Sequence, residues 1–337
     1  MSRTHVIGID LGGSHVAASV VAGDGTVVST AHASIDRTRP ARALIEEDIA
    51  GTVRAAIATA GMPAADIGAV GMGLPGNIDR ARGICRFSPN FGWRDVAVGP
   101  ALEEALGRPV LLLNDVRSHT LGELHFGAGR GLASFAMFAI GTGIGGGLVV
   151  GGRLIEGAHS AGGELGHITA DPHGPPCGCG SHGCVEAMAS GPAIVRMARE
   201  QVSAGRGAAA VALAGGVDAL TPAWVAKAAT AGDADAREIY DRAGRALGVA
   251  VAAVLTSVDP ERVLIGGGVG QAGELLLAPL RDEALKRARM IAPAVTPIVE
   301  AALGEQAGII GAAALALESM GALTPALWSC EPVPHRS

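Results

Sequence analysis

Residues 177–186 read CGCGSHGCVE. Cys177, Cys179 and Cys184, three of the chain's five cysteines, fall within eight positions, and Glu186 follows closely. Thiols this close together could form a disulfide, run a redox cycle or bind a metal. A Cys177–Cys179 disulfide would close a very small, strained ring. A redox pair more often reads C-x-x-C. Three thiolates and one further donor make a tetrahedral zinc site, and the spacing points there. Candidates for the fourth ligand are His159, His167, His173, His182 and Glu186. His182 lies inside the loop, where ligands packed so closely strain to reach one ion. Cys85 and Cys330 read as ordinary thiols.

Two glycine-rich stretches suit phosphate. DLGGS (10–14) sets Asp10 at a strand end beside Gly12, Gly13 and the Ser14 hydroxyl; GTG (141–143) sets Thr142 between glycines. Bare backbone N–H groups and a hydroxyl suit phosphate oxygens, and a nearby carboxylate holds Mg2+, usually through water. Taken singly, each cluster is no more than a tight turn. The pattern G-x-G-x-x-G occurs at Gly71/Gly73/Gly76, Gly141/Gly143/Gly146 and Gly268/Gly270/Gly273. Only the third stands between a strand and a helix, and the nearest suitable acid, Glu300, is far on. An NAD-binding oxidoreductase is therefore a minor alternative. Neither lysine, Lys227 or Lys286, follows a glycine, which excludes a Walker A loop. VLLLND (110–115) is an apolar strand ending in Asp115, expected to be the N-cap of a helix. A carboxylate there is kept ionised by the helix dipole and could serve as a general base; by itself it is a plain cap.

The elements that position these residues follow from composition and periodicity. The chain has 337 residues, which suggests two domains, and is 49% hydrophobic and 17% charged, enough for sizeable cores. A net charge of −6 offers no general basic surface, so no nucleic-acid partner is expected. No signal peptide is visible, because Asp10 interrupts any early apolar run. Residues 131–152 carry no charge and are long enough to span a bilayer. Their GTGIGGG centre argues against a helix, since each glycine costs about 1 kcal/mol there. Strand, glycine turn, strand is the expectation, with no membrane partner and a cytoplasmic location, where structural disulfides are disfavoured.

Residues 5–34 read as an antiparallel meander, 41–60 as a helix with Leu44, Ile45, Ile49, Val53 and Ile57 on one face, and 67–73 as a buried strand. Residues 132–140 and 148–155 flank GTGIGGG as a second hairpin. Helices dominate 190–258. A strand at 262–268, a helix at 274–290, a late strand in AVTPIVEA and a closing helix at 307–320 complete the pattern. Two α/β units thus each open on a hairpin with a glycine turn, as expected of two phosphate cradles facing a nucleotide across a cleft.

The chain resembles the ROK family of sugar kinases and repressors, within the actin/hexokinase/Hsp70 superfamily. The matching stretches are GIDLGGS (8–14), GLPGNID (73–79), SPNFGW (88–93), LLLNDV (111–116), GTGIGGG (141–147), GGELGH (162–167), CGCGSHGCVE (177–186), LIGGGV (264–269) and AGIIGAAALA (307–316). They span nearly the whole chain in family order. The first strand begins by about residue 5, leaving no room for the repressors' N-terminal helix–turn–helix, so a kinase is the better reading. The resemblance implies a two-domain α/β fold of the ribonuclease-H-like, actin-like ATPase type with an interdomain cleft. The expected division is 1–117 plus 304–320, 118–303 with the zinc loop 167–186, and a peripheral tail 321–337.

By the same resemblance, ATP with Mg2+ phosphorylates a hexose, glucose at O6 first of all, with Asp115 as base. The sugar site would use Gly73, Gly76, Asn90, Asn114, Asp115, Glu164, His167 and Glu186. The nucleotide site would use Asp10, Gly12, Gly13, Ser14, Thr142 and Gly143, with Gly266, Gly267 and Gly268 admitting the adenosine. The resemblance selects His167 as the fourth ligand of a structural zinc, and implies homodimers or homotetramers. Alternatives are an amino-sugar kinase, for N-acetylmannosamine, N-acetylglucosamine or kanosamine, and a non-catalytic sugar-sensing regulator. Three departures stand out: Ser14 where the family usually has Thr, His15 where it often has Lys, and Val116-Arg117-Ser118 where it commonly reads A-N-A. Ser14 keeps the hydroxyl; Arg117 bears on substrate identity.

Overall fold

The computed structural model describes residues 5–290 and 296–326. Cys330 and the first residues of AVTPIVEA lie outside them. The described residues divide into two units: unit 1 runs to Leu132 and takes up Gly152–Gly162 and the described residues from Ala302 on, while unit 2 is Ala133–Gly151 and Gly163–Ala301.

In unit 1, β1 (His5–Leu11), β2 (His15–Ala22) and β3 (Val27–Ser34) form the expected meander. β4 (Ile67–Leu74) and β5 (Val110–Asn114) add to β1 in parallel, giving the order β3-β2-β1-β4-β5. Central strands buried on both faces need continuous apolar runs, and Val6, Ile7, Ile9 and Leu11 of β1 are all fully buried. The helix expected over 41–60 forms, but residues Leu44–Ile49 are wound as π-helix before α1 (Ala50–Ala60). Gly61, left-handed at φ 65°, ends it.

The expected boundary at 117 would cut through α2 (Asp115–Phe126). That helix stays whole in unit 1 because it packs backbone to backbone on the closing helix Ala307–Ser319. A Cβ on Gly311 would lie 1.6 Å from the Ser118 carbonyl oxygen, and one on Gly122 2.8 Å from that of Ala307. The same helix lies on the sheet: a Cβ on Gly8 would meet the Ile309 carbonyl oxygen at 2.1 Å, and one on Gly71 that of Ala312 at 1.8 Å. Gly71, first glycine of an apparent dinucleotide pattern, is thus a packing residue. Gly71→Ala is expected to cost unit 1 about 3 kcal/mol or more through forced overpacking, seen as a lowered Tm. The tail is less peripheral than expected over its first residues. Ala326 is buried; its carbonyl accepts from the Leu154 N–H at 2.8 Å and its N–H donates to Glu318 at 3.0 Å.

In unit 2, β6 (Phe135–Ile140) pairs antiparallel with β7 (Ile144–Val150). α3 (Val185–Ala189), α4 (Gly191–Ser203) and α5 (Ala234–Val258) follow. β8 (Arg262–Gly266) then pairs parallel with β6, α6 (Glu274–Arg287) follows, and β9 (Ile298–Glu300) lies parallel to β8. The long helices cross closely, since Cβ atoms on Gly244 and Gly248 would lie 2.7 and 2.6 Å from the carbonyl oxygens of Leu276 and Leu280. Only residues 141–143 of GTGIGGG are turn. Gly145–Gly147 belong to β7, where a Cβ on Gly146 would collide with Leu165 at 2.4 Å. Their lack of side chains lets 163–167 lie flat on the strand. The uncharged stretch 131–152 is therefore a hairpin, and no described helix is long and apolar enough to cross a membrane.

Candidate functional site

In unit 1 three parallel strands end in register. Asp10 of β1 stands opposite Gly73 of β4, and Leu74 opposite Asn114 of β5. Ligands of open α/β sheets gather beyond such carboxyl ends. The helix cap is Asn114, not Asp115 as expected. Its Oδ1 accepts the N–H groups of Val116 and Arg117 at 3.1 and 3.2 Å, while its Nδ2 donates to the Gly76 carbonyl at 3.2 Å. Asp115, the first helical residue, accepts the Val116 N–H at 3.0 Å. Burial pushes its carboxyl above the ordinary carboxylate value; His119 and that N–H oppose the rise, and Asp10 adds to it.

Asp10 and His119 are neighbours, because a Cβ on Gly308 would sit 2.5 Å from Asp10 Oδ2 and 2.8 Å from His119 Nε2. Sequence reasoning missed His119, although i, i+4 spacing from Asp115 on one helix places the two together. Gly73 brings β4 against the start of α2: its Cβ would lie 3.6 Å from Asp115 Cα. Gly76, at φ 131°, would meet the Phe87 carbonyl oxygen at 2.3 Å. The Gly12 N–H donates to the His15 carbonyl at 2.9 Å, closing the turn that exposes Ser14, whose Oγ lies 3.3 Å from His15 Nδ1. Asn90 Nδ2 would be 3.7 Å from a Cβ on Gly13, so the exposed Asn90 turn neighbours this loop. Arg117 is buried, its guanidinium given to backbone carbonyls of Ser160 and Gly162 at 2.9 Å each.

In unit 2 the GTG turn and the Gly267–Gly268 turn lie at one end of the sheet. The Gly191 N–H, at the start of α4, donates to the Gly141 carbonyl at 2.8 Å, and the Val269 N–H to the Ile140 carbonyl at 3.0 Å. A cavity of about 770 Å³ opens there, lined by Thr142, Arg196, Leu220, Thr221 and Gly268 among others. Of the three glycines expected to admit adenosine, Gly268 lines it, Gly267 turns the chain at φ 81°, and Gly266 is buried under Met137. The walls from α4 and residues 220–223 carry no motif, so they were not legible in the sequence.

The four residues expected to hold zinc converge. The donor atoms of His167, Cys177, Cys179 and Cys184 all lie within 4.8 Å of one another. Cys179 Sγ and Cys184 Sγ are 3.7 Å apart, and Cys177 Sγ is 3.6 Å from His167 Nδ1. A tetrahedral zinc with bonds of about 2.0–2.3 Å has ligand–ligand edges of roughly 3.5–3.8 Å, so the set fits. His182 is exposed and paired as an isolated bridge with Pro176. Burial pushes Cys184 up to about 12 and raises Cys177, while the Ser181 N–H lowers Cys179; a cation would offset the cost of ionising all three. Glu186, second residue of α3, bridges outward from this cluster: its Oε1 lies 3.8 Å from Cys177 Sγ and its Oε2 accepts the Ile144 N–H at 2.9 Å. Glu164, exposed, precedes the short 3-10 turn Leu165–His167. Cys85 is an isolated buried thiol, raised to about 11 by burial.

A sequence model described as the ROK family matches residues 6–319. The glucokinase of Thermotoga maritima is 38% identical over 325 residues, covering 95% of this chain and 100% of that protein. A solved ROK family glucokinase from Streptomyces griseus, in complex with glucose and AMPPNP, superposes with a TM-score of 0.81 at 34% identity, covering 92% of this chain and 98% of that one. The xylose repressor of Caldicellulosiruptor bescii is 27% identical over 94% of this chain and 78% of its own length.

Proposed function

The chain belongs to the ROK family, and on that premise we propose that it is an ATP-dependent kinase that phosphorylates glucose at O6. The observation that carries this reading is Asp115, set by the Asn114 cap at the start of α2, with Asp10 at the neighbouring strand end. Asp115 takes the proton of the sugar hydroxyl as that oxygen bonds to the terminal phosphorus of ATP and the bond to ADP breaks. Asp10 would hold Mg2+, usually through water, and the ion supplies charge neutralisation on the phosphates. Gly12, Gly13, Ser14, Thr142 and Gly143 contact phosphate in this reading, and the unit 2 cavity takes the adenosine.

Asn90, Asn114 and Asp115, with the backbone at Gly73 and Gly76, are proposed sugar ligands from unit 1; Glu164, His167 and Glu186 are those from unit 2. A sugar hydroxyl both donates and accepts, so carboxylates, amides and an imidazole suit it. Zinc on Nδ1 of His167 would fix the tautomer and leave Nε2 for the sugar. A homodimer or homotetramer in the cytoplasm completes the reading.

A coupled ADP-release assay over glucose, N-acetylglucosamine, N-acetylmannosamine and kanosamine tests it. Glucose is expected to give the highest kcat/KM. A preferred amino sugar moves the assignment to that substrate. Sugar binding without turnover of any hexose sinks the kinase and favours a sugar-sensing regulator, in line with a relative named a xylose repressor.

A further inference from the structure

Residues 156–162 of unit 1 form a small closed ring. The Gly162 N–H donates to the Glu156 carbonyl at 2.8 Å, and the Ser160 N–H to the Gly157 carbonyl at 3.3 Å. The closure leaves no room for side chains at two corners: Cβ atoms on Gly157 and Gly162 would lie 2.9 Å from Gly162 N and Gly157 N. Ser160 is held in the left-handed region at φ 53°, a conformation that persists only where the surroundings enforce it.

The enforcing group is Arg117. Its side chain is buried, with the residue 4% exposed, and one terminal nitrogen lies 2.9 Å from the carbonyl oxygens of Ser160 and Gly162 and 3.5 Å from that of Glu156. A buried guanidinium must find acceptors for its donors, and the ring supplies two to one terminal nitrogen, the Ser160 and Gly162 carbonyls, with that of Glu156 at the edge of hydrogen-bonding distance. Two further residues of unit 1 hold the ring from outside. Arg80 pairs with the Glu156 carboxylate at 3.0 Å, and Asn77 Nδ2 donates to the His159 carbonyl at 3.2 Å. The chain runs from this ring through Gly163 directly into Glu164. Arg117 stands two residues after Asp115, on the first turn of the same helix.

We propose that Arg117 is a positioning residue for hexose recognition: by gathering the ring's carbonyls it fixes the segment that delivers Glu164. The inference rests on the reading of Glu164 as a sugar ligand and Asp115 as the base. Arg117 acts through the ring and takes no part in proton transfer, so its loss falls on sugar affinity and spares the nucleotide.

The test compares Arg117→Ala and Arg117→Lys in the full chain, with glucose and ATP varied separately. Arg117→Ala is expected to raise the glucose KM by about tenfold or more, the scale of effect seen when a positioning contact is lost. The ATP KM should stay within about twofold, since the nucleotide contacts are untouched. Arg117→Lys, which keeps a cation but not the fork, should show a smaller rise. Backbone hydrogen exchange over 156–164 should accelerate in the Ala variant. An unchanged glucose KM, an equal rise in both KM values, or a Lys variant no better than Ala overturns the proposal. Should the Ala variant not fold, Arg117→Lys decides alone, and an unchanged glucose KM there is the overturning result. A wild-type protein that phosphorylates no hexose sinks the kinase reading separately; exchange over 156–164 then judges the clamp, with no acceleration counting against it.

Discussion

Asp115→Asn is expected to lower kcat by about 10²- to 10⁴-fold, the contribution of a well-placed general base. The amide keeps the size of the carboxyl, and the Asn114 cap that sets the helix start is untouched, so the glucose KM should move far less. Zinc content should be unchanged. Stability should hold or rise, and the sign follows from burial. Because the folded carboxyl titrates above its ordinary value of 3.8, the native state retains a proton that the unfolded chain has released in that window. Stability therefore falls as pH rises through it, and at neutral pH the ionised Asp115 is a cost that the amide removes. The acid limb of wild-type kcat/KM should lie above the ordinary carboxylate range and vanish in the variant. A variant turning over within tenfold of wild type removes Asp115 from the base role.

The second large effect concerns the metal. The wild-type protein is expected to carry about one zinc per chain, as four converging donors imply. Cys184→Ala should lose it, since losing even an outer contact weakens metal affinity by about 10- to 100-fold, and a direct ligand counts for more. Catalysis should collapse with the zinc, although no metal ligand touches phosphate. His167 loses its anchor at Nδ1, and Glu186, 3.8 Å from Cys177 Sγ, loses the loop that backs it. Metal analysis with thermal melting and kinetics checks this. Well-folded wild-type protein without zinc, or a zinc-free Cys184→Ala variant with full activity, refutes the site.

The sequence was most legible where one residue type has one physical use. Glycine turns between apolar runs marked both hairpins, and the C-x-C…C spacing marked the thiols that converge with His167 before any fold was in view. Choosing His167 over His182 needed the resemblance, because the chain must fold back along β7 to bring the more distant histidine in. Local reasoning failed where two neighbours compete for one role. Asn114 and Asp115 are both good caps, and the geometry gave the cap to Asn114, leaving the carboxylate beside Asp10 and His119. It failed again where a glycine serves a distant partner. Gly145 and Gly146 read as turn residues, yet they sit inside β7, and Gly71, expected within a strand, carried no sign of the helix that packs on it. The cavity walls at α4 and 220–223 are assembled from ordinary helix residues, whose only distinction is where tertiary packing leaves them.

The closing helix has a consequence for the order of assembly. Its contacts with Gly8 and Gly71 join residues about three hundred and about 240 positions apart, the kind of pairing that slows folding. During synthesis all of unit 2 is made before the last piece of unit 1 emerges. Val6, Ala17, Val21 and Ala69, which pack against Ile309, Ala313 and Leu317, must wait uncovered until then. An apolar sheet face left open for most of translation is a natural client surface for a holding chaperone. If the helix docks after the rate-limiting step, Gly71→Ala will refold at nearly the wild-type rate and unfold faster. A stretch made late would then be a latch on one made early.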